Sequence, residues 1–173
     1  MVRLSGDTTG IHNRHQQIVF TALYIRSGGK AVAEVNQLIA ESFPNGLVPE
    51  KCIPVAKMHC VLISGTRDVL SAVEREQIGK SYDVVVYGFT KPSAPVQALL
   101  VHCPKTLPRS PGQSFIGVSS GVKQGSLCAI SPDMIQKLPT ERQLTIGMRM
   151  GAVCRVVGKS GTVRYRCRFK KVH

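Results

Sequence analysis

With 173 residues, 43% of them apolar and 19% charged, the chain has the size and composition of one folded domain, which excludes a disordered tail. A formal net charge of +13 selects phosphate backbones or acidic surfaces as partners over cationic ones. No apolar run approaches the roughly 18 to 20 residues that cross a bilayer, and residues 1–17 lack the apolar stretch of a secretory signal. A soluble, intracellular protein without a membrane partner is expected, in the cytoplasm or the mitochondrion.

Residues 1–16 read as an N-terminal extension, and residues 17–173 as a single α+β domain. The first strand is expected over 18–25, a β-branched and aromatic run closed by Ser27, Gly28 and Gly29. From 30 to 43, Val32, Val35, Leu38, Ile39 and Phe43 recur at helical spacing until Pro44, which predicts an amphipathic helix. A strand over 56–63 follows. Thr66 is then positioned to cap a helix running to about Ile78, with Val69, Leu70 and Val73 facing inward.

Two meander strands are expected over 82–89 and 96–103, then a proline-rich loop and a short strand over 114–119. Residues 119–125 read as a turn whose Ser119 and Ser120 hydroxyls, glycine-rich backbone and Lys123 could form either an anion nest or a plain hairpin. Ser131 and Pro132 open a short helix. Of the two closing strands, the last alternates Val163, Tyr165, Cys167 and Phe169 with Arg164, Arg166, Arg168 and Lys170. A period of two puts those bases on one face of a strand expected to be half-buried. Arg142, Arg149, Arg155, Lys159 and Lys171 extend the basic segment, and no acidic residue follows Glu141. These bases, with Lys123, are the candidate RNA-binding residues. Backbone and shape readout is expected, because the sequence has no tryptophan and few aromatic platforms for bases.

The six cysteines include no pair spaced for a zinc ribbon or redox motif, so a reducing compartment and no metal or other cofactor are expected. His12 and His15 lack further ligands nearby in sequence, and His102 on a meander strand reads as structural.

The order strand, helix, strand, helix, meander resembles the two-histidine phosphoesterase superfamily, nearest its RNA-repair, cyclic-phosphodiesterase-like branch. Met58, His59, Cys60, Val61 and Leu62 carry the resemblance, as do Gly79, Lys80, Gly88, Phe89 and Gln97. Phe115, Ile116, Gly117 and Val118 complete it with Gly121, Lys123 and Ser126. It spans residues 18–134. It implies two lobes of antiparallel sheet with flanking helices, each lobe bearing a motif of histidine, apolar residue, hydroxyl residue, apolar residue. In such sites one imidazole takes a proton, the other gives one, and the hydroxyls hold phosphate oxygens.

This sequence keeps only His59. Val61 stands in the first hydroxyl position, and Phe115 and Gly117 stand where the second histidine and hydroxyl belong. Valine, phenylalanine and glycine side chains offer no proton and no donor. The expected protein is therefore a pseudoenzyme: an RNA-binding or structural subunit of a ribonucleoprotein, of which the ribosome is one example. Two alternatives remain. One is an active 2′,3′-cyclic phosphodiesterase that processes RNA ends with His59 as a catalytic residue. The other is a basic protein-interaction module.

Overall fold

A computed structural model describes residues 16–26, 29–44, 53–92, 94, 96–119 and 130–170. Strand β1 is Gln16–Ile25, helix α1 Gly29–Ser42, strand β2 His59–Arg67 and helix α2 Ala72–Gln77. Strands β3 (Ser81–Thr90), β4 (Ala98–His102), β5 (Phe115–Gly117) and β6 (Ile135–Lys137) follow, and then β7 (Leu144–Val157) and β8 (Val163–Arg168). The N-terminal extension, with His12 and His15, and the turn bearing Lys123 lie outside the described residues, as does Lys171.

All the pairings are antiparallel, in the order β6, β3, β4, β5, β2, β1, β7, β8, and β3 also pairs with β7. That last pairing closes β3, β4, β5, β2, β1 and β7 into a barrel-like ring. The expected pair of lobes is thus one continuous sheet. Its closure follows from the length of β7: 14 residues suffice to pair residues 148–156 with β1 and residues 144–149 with β3. The narrowest described seam is β2 to β5, a single residue pair between Cys60 and Ile116. The α+β reading holds, with helix limited to α1, α2 and short 3-10 turns among the described residues.

Side chains alternate across the strands as a period of two requires. Leu23, Cys60, Leu62, Val84, Val86, Leu99, Ile116, Ile146, Met148 and Met150 form one buried core, and α1 adds Val35, Leu38 and Ile39 to it. Each such aliphatic side chain contributes about 1.5–3 kcal/mol on burial. A smaller cluster of Val96, Ala98, Leu100 and Ile130 packs with Tyr87 and Phe115.

The second helix departs from expectation. Thr66 lies within β2, the helix starts six residues later, and Val69 and Val73 are exposed while Leu70 is buried. Ser71 is the cap. Its hydroxyl accepts from the Glu74 amide, and the Glu74 carboxylate accepts from the Ser71 amide, both at 3.2 Å, so a capping box fixes the start. Ser131 precedes a 3-10 turn, Pro132–Met134, and its hydroxyl donates to Asp133 rather than capping the backbone.

The closing strand also differs from the half-buried one expected. Val163 is 40% and Tyr165 65% exposed, and only Cys167 of β8 is half-buried. β8 pairs with residues 152–157 of β7, and residues 152–156 also pair with β1, so β8 is an edge strand laid along the barrel sheet. With no strand on its far side among the described residues, most of its side chains reach water.

Two glycines seat that strand. At Gly79, φ is +87° and an added Cβ would lie 2.4 Å from the Phe169 carbonyl oxygen. At Gly151 it would lie 2.7 Å from the Cys167 Sγ and 3.1 Å from the Arg168 carbonyl oxygen. Gly79→Ala is expected to lower stability by about 2 kcal/mol or more, since left-handed strain adds to a backbone clash. Thermal unfolding checks this; an unchanged melting temperature would mean that Phe169 does not dock there.

Candidate nucleic-acid interface

His59 opens β2, where Cys60 and Leu62 turn into the core and His59 and Val61 turn away from it. Cys60 pairs with Ile116, so alternation puts Phe115 and Gly117 on the same side as His59 and Val61. The histidine and hydroxyl positions of the two degenerate motifs thus share one face across two neighbouring strands. Val61 is 43% exposed, and an added Cβ at Gly117 would meet nothing within 4 Å. This face is open where hydroxyl side chains would otherwise stand.

His59 is held by stacking. Its ring centroid lies 5.6 Å from that of Phe20 and 5.0 Å from that of Tyr24, with interplanar angles of 12° and 24°. Nδ1 is 3.1 Å from the Lys57 carbonyl oxygen. A carbonyl only accepts, so Nδ1 carries the hydrogen, and in the neutral ring Nε2 keeps the lone pair. That ring can accept a proton at Nε2, whereas the Phe115 and Gly117 side chains beside it offer neither a proton nor a donor.

The aromatic surroundings were not legible from residue spacing. The cross-strand pairs Tyr24–His59 and Tyr24–Arg149 make a row over β2, β1 and β7. Phe169 meets Tyr24 edge-on at 5.7 Å, and the Arg149 guanidinium sits 4.7 Å from the Phe169 ring centroid while donating to the Gly79 carbonyl at 3.3 Å. Burial raises the Tyr24 pKa, with Cys167 adding to it, and burial pushes the Cys167 thiol up to about 11. Both stay neutral at physiological pH. Phe20 and Tyr24 alternate in β1, which was the available signal, but their meeting with His59 depends on strand order.

The candidate basic residues fall into three places. Arg155, Lys159, Arg164, Arg166, Arg168 and Lys170 share the β7–β8 ribbon and its continuation. Arg149 belongs to the aromatic row. Arg142 is apart from both, in a 3-10 turn where it pairs with Glu41 of α1 at 3.0 Å. Within the ribbon, Arg155 is opposite Tyr165, whereas Arg166 is opposite Cys154 and Arg168 opposite Ala152. Cross-strand partners share a face, so Arg155 and the three β8 arginines project to opposite sides. His102 stacks on Tyr87 with centroids 3.9 Å apart, in line with a structural role.

No protein-family profile and no curated protein matches the chain. Among solved structures it is similar to Escherichia coli LigT complexed with ATP, at 13% identity and a TM-score of 0.45 over 89% of this chain and 95% of that one. Apo E. coli LigT gives 11% identity and a TM-score of 0.43 over the same shares. A phosphoesterase structure gives 11% and 0.41 over 88% and 95%. At these scores they are likenesses alone, and they assign no activity. No helix among the described residues is long and apolar enough to cross a membrane.

Proposed function

We propose that this chain is an RNA-binding subunit of a ribonucleoprotein that holds phosphates through its C-terminal ribbon. The carrying observation is an exposed hairpin at the sheet edge with arginines on both faces, in a segment without any acidic residue after Glu141. Such a ribbon can lie between phosphate rows, and the exposed Tyr165 offers one surface on which an unpaired base can stack. The His59 face supports the loss of catalysis, because one proton acceptor stands there beside Val61, Phe115 and Gly117.

The second reading, an enzyme acting on 2′,3′-cyclic phosphates, draws on the Nε2 lone pair of His59 beside open space at Gly117. One experiment separates the two: a single-stranded RNA ending in a 2′,3′-cyclic phosphate is assayed for binding across a salt series and for hydrolysis. With all six ribbon bases on phosphates, log K is expected to fall with log salt at a slope of about −4, without turnover. A flat salt dependence would overturn the RNA reading. Turnover that His59→Ala abolishes would establish the enzyme instead.

A further inference from the structure

Behind the His59 face lies a pair of thiols. Cys60 turns into the core, and its Sγ is 3.8 Å from the Sγ of Cys103, just past the end of β4. Cys60 is fully buried, while Cys103 keeps 8% of its surface open. Ser114 hydrogen-bonds to Cys103 and accepts from Arg109 Nη1 at 3.0 Å. The hydrogen bond from Cys60 comes first in lowering the Cys103 pKa to about 7; burial opposes it, and Ser114 and the Arg109 charge assist it. The Cys60 thiol is raised, chiefly by the same hydrogen bond and then by burial. One sulfur is prepared as a thiolate and its neighbour as a thiol, the arrangement of a reactive and a resolving cysteine.

We propose that Cys60 and Cys103 form a redox-modification site, closing into a reversible disulfide when the protein meets a hydroperoxide. The Cys103 thiolate attacks one peroxide oxygen, the O–O bond breaks, and the departing hydroxide takes a proton to become water. Cys103 is now a sulfenic acid. The Cys60 sulfur attacks it, the S–O bond breaks, and the hydroxide leaves with the Cys60 proton as a second water. Two thiols have lost two electrons and two protons, and hydrogen peroxide has become two waters.

The new bond is about 2.0 Å long, so the sulfurs close by less than 2 Å. It ties the head of β2 to the chain leaving β4. Those strands flank β5, whose described pairing with β2 is the single one at Cys60 and Ile116. The disulfide therefore staples the narrowest seam of the ring, one residue from His59.

The test treats the full chain with hydrogen peroxide, blocks remaining thiols with N-ethylmaleimide and maps the digested peptides by mass. Two of the six thiols should disappear into a Cys60–Cys103 cross-link that dithiothreitol reverses. The rate of loss should level off by about pH 8, whereas an ordinary thiol of pKa near 8.5 keeps accelerating beyond it. Cys60→Ser should leave Cys103 as a sulfenic acid trapped by dimedone, and Cys103→Ser should remove both products. Cross-linking of another pair, direct passage of Cys103 to sulfinic acid, or an inert Cys103 would each overturn the proposal. The unmutated chain decides the matter even if the variants fail to fold.

Discussion

Replacing Arg164, Arg166 and Arg168 together with alanine is expected to weaken binding of single-stranded RNA about 100-fold at 0.1 M salt, and to make the salt slope shallower by about 2. The magnitude comes from counterion release: three lost phosphate contacts at about 0.7 released ions each change log K by about 2 at that concentration. Folding should be little affected, because the three side chains are exposed on an edge strand and such surface changes usually stay within about 0.5 kcal/mol. Arg142→Ala is the matched control. That guanidinium is already paired with Glu41 at 3.0 Å, so its loss removes little free positive field. Filter binding or fluorescence anisotropy over a salt series reads both slopes. If Arg142→Ala weakens binding as much as the triple variant, the RNA lies across α1 and the ribbon reading fails. Preference for an acidic peptide over RNA of equal charge would favour a protein-interaction module instead.

The strand periods made much of this molecule legible in advance. The alternation in β8 sorted its arginines from Val163, Tyr165 and Cys167, and the helical spacing of Val35, Leu38 and Ile39 identified the buried face of α1. Burial of β8 was not legible, because it depends on the strand's place at the edge of the sheet. The start of α2 had two plausible hydroxyls, Thr66 and Ser71. Only Ser71 has a glutamate three residues on, so the capping-box spacing was present in the sequence and outweighs the apolar pattern of Val69 and Val73. The degenerate motifs were readable as missing chemistry. Their meeting on one face required the Cys60–Ile116 pairing, and the stack around His59 required three strands in register. The closed ring likewise came from a long-range contact, β3 to β7, that local patterns do not encode.

Glu74→Ala is expected to lower stability by about 3–5 kcal/mol, or roughly 10–15 °C in melting temperature for a chain of this size. The Glu74 side chain is 2% exposed, and both its oxygens lie 2.6 Å from the Arg67 guanidinium, itself 26% exposed. Burial by itself would raise the Glu74 pKa. Arg67 and then Ser71 outweigh burial, so the carboxyl ends below its ordinary value. The sign for pH follows: a depressed folded-state pKa gives stability that is fully present above the unfolded value, near 4.3, and is lost as pH falls through the lower folded one. Wild-type stability should therefore decline below about pH 4 with a contribution that Glu74→Gln no longer makes. Glutamine can keep the reciprocal cap with Ser71, so Glu74→Gln should cost less at neutral pH than Glu74→Ala. The double variant Arg67→Met with Glu74→Leu tests the physical cause. Arg67 Nε is already buried without a hydrogen-bond partner, and exchanging an ion pair for apolar contacts is often close to neutral. Near-wild-type melting of the double variant beside a collapsed Glu74→Ala would locate the cost in the stranded guanidinium. Equal losses in both would instead assign Glu74 to the capping box, since leucine removes that cap as completely as alanine does.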